Sequence, residues 1–77
     1  MDNGTKGDSM KNESIFKGIL EFTGTDGNRY RATSEGAAWG VYEKSGDAFM
    51  RFATIRRRRG DKPADVYARA TDPSCML

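Results

Sequence analysis

Histidine is absent from this 77-residue sequence, cysteine occurs once and proline twice. Without histidine the chain lacks the usual general base near neutral pH and the commonest metal ligand. A lone Cys75 closes no internal disulfide, and with no histidine it cannot build the usual structural zinc site. It also lies third from the end, where a prenylation signal would need it fourth. No apolar run approaches the roughly 20 residues of a membrane helix. Residues 1–14 contain no hydrophobic core segment, so a secretory leader is not expected and the two Asn-x-Ser/Thr sequons read as chance. The expected location is the cytoplasm. Glycine-rich phosphate motifs are missing, and no spacing brings two carboxylates into one pocket. The expectation is a binding protein that is not an enzyme and needs no cofactor or metal.

Hydrophobic residues make up 36% of the chain and charged residues 31%. A domain of about 60 residues buries only about 60% of its unfolded surface, and no disulfide or metal is available here as a staple. Either the core packs efficiently or a partner, such as a second copy in a homodimer, contributes.

Residues 1–13 are polar apart from Met1 and Met10 and read as a disordered tail; residues 71–77 read as a second, flexible one. Between them, residues 14–70 form a single β-rich domain. Turn signals at Gly24-Thr25-Asp26-Gly27, Ser34-Glu35-Gly36, Lys44-Ser45-Gly46-Asp47 and Arg59-Gly60-Asp61-Lys62-Pro63 divide it into five strands. These are residues 15–23, 28–33, 37–43, 48–57 and 64–70. The competing assignment is a short helix at residues 34–40. Short connections favour pairing in chain order, so the expected fold is all-β: a five-stranded antiparallel meander or small curled barrel.

Register follows from which pairing gathers apolar residues on one face. A three-residue loop at Thr25-Asp26-Gly27 sets Phe22 opposite Tyr30 and Leu20 opposite Ala32, with Glu21 meeting Arg31 and Lys17 meeting Glu35 on the reverse. A turn at Ser45-Gly46 sets Val41 opposite Met50 and Trp39 opposite Phe52. The reverse face then holds Tyr42 opposite Phe49, beside Ala38, Ala53 and Ile55. Trp39, Phe52, Phe22 and Tyr30 read as core. Tyr42 and Phe49, where they face solvent, would form an apolar interface for a partner or second subunit.

Charge is concentrated. Residues 51–69 carry Arg51, Arg56, Arg57, Arg58, Arg59, Lys62 and Arg69 against Asp61 and Asp65, within a chain whose net charge is only +2. An arginine presents a planar fork of donors that suits phosphate oxygens. Strand alternation would point Arg56 and Arg58 to one face and Arg57 and Arg59 to the other. The segment reads as an arginine-rich β-hairpin arm on a small basic nucleic-acid-binding module. Arg56, Arg57, Arg58, Arg59, Lys62 and Arg69 would lie on phosphate, Tyr67 would stack on a base, and Arg29 and Arg31 would extend the patch. The alternative is a small docking adaptor or inhibitor, of a kind common in phages and mobile elements, that offers the same arginines to an acidic protein surface. The remaining tripeptide, Arg59-Gly60-Asp61, matches an integrin-binding motif and reads as coincidence.

Overall fold

The computed structural model describes residues 11–77. Five strands, β1 (Lys11–Phe16), β2 (Ile19–Thr23), β3 (Arg29–Glu35), β4 (Ala38–Ser45) and β5 (Ala48–Arg56), pair antiparallel in chain order. The meander is as expected; the sheet stays open rather than closing into a barrel. One helix, α1 (Pro63–Ala70), and a short 3-10 turn, Pro73–Cys75, follow. No helix among the described residues is long and apolar enough to cross a membrane.

The β2–β3 hairpin has the expected register: Leu20 faces Ala32, Glu21 faces Arg31 and Phe22 faces Tyr30. Its loop closes with Gly24 N–H donating to the Asn28 carbonyl at 2.8 Å, and Gly27 takes the left-handed φ of 87°. Asp26 secures the loop by accepting from the Asn28 N–H at 2.9 Å and from the Tyr30 hydroxyl at 2.6 Å. Burial and that carboxylate push the Tyr30 hydroxyl pKa well above the ordinary tyrosine range, so it stays protonated as a donor.

Three expectations are corrected. Residues 15–23 are not one strand: Lys17 (φ 30°) and Gly18 (φ 79°) turn the chain between β1 and β2. Lys17 therefore does not meet Glu35, which pairs with Arg51 instead. The β4–β5 turn is Gly46-Asp47, so Glu43 faces Met50 and Tyr42 faces Arg51. Phe52 is then an extra residue in β5, and beyond this bulge Val41 faces Ala53 and Trp39 faces Ile55. The bulge moves Ala53 and Ile55 onto the core face, while Met50, opposite Glu43 near the turn, is exposed. Residues 34–40 form strand, turn and strand, not a helix.

The third correction is the largest: residues 64–70 are helical. Pro63 starts α1 where a missing N–H costs nothing, and the Asp65 carboxylate accepts from the Lys62 N–H at 3.1 Å. Pro63, Val66 and Ala70 are buried, and Tyr67 packs beside them. That 63, 66, 67, 70 spacing is a helical stripe.

The helix covers one face of the sheet, completing a core of Leu20, Phe22, Tyr30, Ala32, Trp39, Val41, Ala53, Ile55, Val66 and Ala70. Phe22, Tyr30, Phe52 and Tyr67 pack ring against ring, with centroids between 5.2 and 6.0 Å apart. We call this the inner face. Among the described residues, no element lies over the opposite, outer face. The final residues run back along β5: Met76 bridges to Ile55, and the Leu77 N–H donates to the Thr54 carbonyl at 2.9 Å. The segment expected as a flexible C-terminal tail thus forms a wall beside β5. The expected N-terminal tail lies mostly outside the described residues, and β1 begins within it, at Lys11.

Candidate functional site

The basic run does not form a hairpin arm. β5 ends at Arg56, and residues 57–62 form the connection from sheet to helix. Asp61 organises this connection. Its carboxylate accepts from Trp39 Nε1 at 2.9 Å, from the Arg58 N–H at 2.8 Å, and from both Nη atoms of Arg69 at 3.0 and 2.8 Å. Only 6% of its side chain is exposed, against 15% for Arg69. Burial pushes the Asp61 carboxyl pKa up. The hydrogen bonds from Arg69, Arg58 and Trp39 outweigh this, and the net position is below the ordinary aspartate range. Asp61 is therefore a fully engaged anion, and Arg59-Gly60-Asp61 is not presented as a binding tripeptide.

This network assigns structural roles to two residues expected on a ligand. Arg69 is committed to Asp61 and to the Arg56 carbonyl, at 3.0 Å, so it ties helix to loop. Tyr67 is taken up in ring packing against Phe22 and Tyr30. Both corrections follow from the helix, which turns these side chains inward, where a strand would have carried them along an edge.

The other cations remain available. Among the described residues, Arg56, Arg58, Arg59 and Lys62 make no side-chain hydrogen bond or ion pair. Arg57 uses Nε to donate to the Gly36 carbonyl at 3.1 Å and lies 5.9 Å from the centre of the Trp39 ring, and among the described residues its charge has no acidic partner. Arg56 and Arg58 share one cleft of ≈ 250 Å³ with Arg69, Ser74, Cys75, Met76 and Leu77. Arg57 turns away from that cleft. The alternation expected for Arg56, Arg57 and Arg58 is thus present in outline, although only Arg56 is in the strand.

Arg29 and Arg31 do not join this end. They lie on the outer face of β3 and converge on Glu21, at 3.7 and 2.9 Å. The Arg31 guanidinium lies 4.3 Å above the Phe49 ring, and that of Arg51 lies 4.8 Å above the Tyr42 ring. Arg31, Thr33, Tyr42 and Phe49 line an open cleft, also of ≈ 250 Å³. Glu35 anchors its far side, accepting from the Tyr42 hydroxyl at 2.9 Å and pairing with Arg51 at 3.2 Å. The Tyr42 hydrogen bond, aided by Arg51, holds its carboxyl pKa below the ordinary range against a smaller opposing effect of burial. The pair crosses the backbone of Gly40, where a side chain would collide with Glu35 and Arg51.

Tyr42 and Phe49 are both half-buried, each beneath an arginine. Arg51 and Asp61, which organise these two clusters, were not singled out from the sequence. The two-residue spacing of Phe49 and Arg51 was the available signal for the first. For Asp61, the signal was an acid flanked by a turn glycine and a helix-starting Lys-Pro.

Comparison with protein-family models, curated proteins and solved structures finds no match to this chain. The functional reading therefore rests on the site alone.

Proposed function

We propose that this chain is a non-catalytic nucleic-acid-binding module that holds the phosphate backbone with the end of the sheet where β5 passes into α1. The contacting residues are Arg56, Arg58, Arg59 and Lys62, with Arg57 at the flank. Arg69 and Asp61 position them. One observation carries the reading: these cations lack acidic partners among the described residues, while the nearby Asp61 is already saturated by Arg69, Trp39 and the Arg58 N–H. Positive charge is left uncompensated on a loop pinned at both ends, which lowers the ordering cost of binding an anionic strand.

The test is fluorescence-anisotropy titration with labelled oligonucleotides at ~50 and ~200 mM salt, where loss of several phosphate contacts spreads affinity over orders of magnitude. The double substitution Arg58→Glu, Arg59→Glu should weaken binding at least tenfold for all sequences alike. It should also flatten the dependence of log affinity on log salt by about 2, one per lost phosphate contact. Affinity unchanged by this pair would overturn the reading.

A further inference from the structure

We infer that the outer face of the sheet is a stacking platform for the bases of a single-stranded nucleic acid, continuous with the basic end through β5. The inference rests on the nucleic-acid reading above and names the substrate class. Along β5 the pairing places Phe49, Arg51, Thr54 and Arg56 opposite Lys44, Tyr42, Gly40 and Ala38, all on the outer face. Arg51 Nη1 donates to Thr54 Oγ1 at 3.0 Å, which ties the two sides of the bulge into one row. Arg56 is also a wall of the basic cleft. One strand of the protein thus links the phosphate cluster to the aromatic cleft, over about 20 Å at ~3.3 Å per residue.

The chemistry of the face fits bases. Phe49 and Tyr42 each carry a guanidinium plane over the ring. The carboxylates Glu21 and Glu35 hold those planes in position. Yet the arginine side chains remain 41% and 47% exposed. An arginine plane backed by an aromatic ring is a surface on which an unstacked base lies flat, and every base has a π-face to offer. Thr33 and the Glu35 and Glu21 oxygens at the margin provide acceptors for base edges. Cations exceed carboxylates on the face, with Arg29, Arg31, Lys44, Arg51 and Arg56 against Glu21 and Glu35. Its charge therefore favours a polyanion. A duplex keeps its bases stacked on one another and has none to give to a sheet face without a projecting element.

The test separates stacking from charge. Arg31→Lys and Arg51→Lys keep the positive charge and lose the planar surface. Binding is measured by anisotropy for the intact chain with a labelled oligo(dT) of ~15 nucleotides, within the range of known single-strand site sizes, and with a mixed-sequence duplex of the same length. The double lysine variant should bind the single strand about fivefold or more weakly, the scale of one lost stacking contact, with duplex binding within twofold.

Phe49→Leu, which removes one backing ring, should act in the same direction. A second measurement needs no variant: irradiating the wild-type protein with a bromouracil-substituted single strand should crosslink the peptides holding Tyr42 and Phe49. Undiminished single-strand affinity in the lysine variant, or crosslinks confined to residues 56–62, would overturn the inference and leave the phosphate site standing. A wild-type chain that binds neither oligonucleotide would remove both. A dimer in sedimentation that Phe49→Leu dissociates would assign the face to a second copy, which also overturns the inference.

Discussion

The two faces of this sheet are built from the same strands and differ in what holds them. On the inner face Leu20, Phe22, Tyr30, Val41 and Ile55 are nearly or wholly buried beneath α1. On the outer face Arg29, Arg31 and Arg51 lie over or beside rings and carboxylates in contact with water. The inner face is held by removal of apolar area from solvent, at about 25 cal/mol per Å². The outer face is held by partly exposed ion pairs and cation–π contacts, each contributing at most about 1 kcal/mol. A small domain needs only one face for its stability, which leaves the other free to carry chemistry.

The comparison is broken or sharpened by substitution. The largest effects belong inside. Phe22→Ala should cost about 3–5 kcal/mol in urea denaturation, the usual range for a buried phenylalanine. Asp61→Ala should cost a similar amount, about 3–5 kcal/mol, because it strands the Arg69 guanidinium and the Trp39 N–H in a protected site.

Acid should act on the same pair. Asp61 sits below its unfolded pKa, so its contribution is fully present above that pKa, near 3.9, and is lost as pH falls through the lower folded value. Thermal melts from pH 6 to pH 2 should show a steep loss of Tm below about pH 4, and Asp61→Asn should flatten it. A smaller effect is expected on the outer face. Arg31→Lys should change stability by less than about 1 kcal/mol, as exposed pairs do. If it cost as much as Phe22→Ala, the outer face would be part of the core, and the contrast between the faces would fail.

The legibility of this fold followed local chemistry. The β2–β3 register could be read because Gly24 and Gly27 fix the loop length, and only one pairing then puts Phe22 and Tyr30 together. The β4–β5 register could not, because the turn falls at Gly46-Asp47, one residue beyond Ser45-Gly46, and because β5 contains the Phe52 bulge. Period-2 reasoning carries a bulge's shift into every later residue, so Ala53 and Ile55 fell on the wrong face. The segment 63–70 is eight residues long, short enough for Val66 and Ala68 to mimic strand alternation. Lys62-Pro63-Ala64-Asp65 was the overlooked helix-start signal.

The site divides along the same line. Arg56, Arg58, Arg59 and Lys62 stand out from charge density alone. Arg69 matches them in charge and Tyr67 follows close by in sequence, and only the helix shows that both turn inward. Arg51 did not stand out as a site residue, because its place opposite Tyr42 depends on the turn at Gly46-Asp47.

The meander order has a consequence for how the chain reaches this state. Every strand pairs with its neighbour in sequence, so each loop to be closed is short and its entropic cost small. The β2–β3 and β4–β5 hairpins can assemble independently while later residues are still emerging from the ribosome. Asp61, Val66 and Arg69 follow the last strand in the chain. Until they dock, the inner face is an exposed apolar surface, and the buried ion pair that anchors the basic end does not exist. The segment after β5 thus both seals the core and sets the arginines in place.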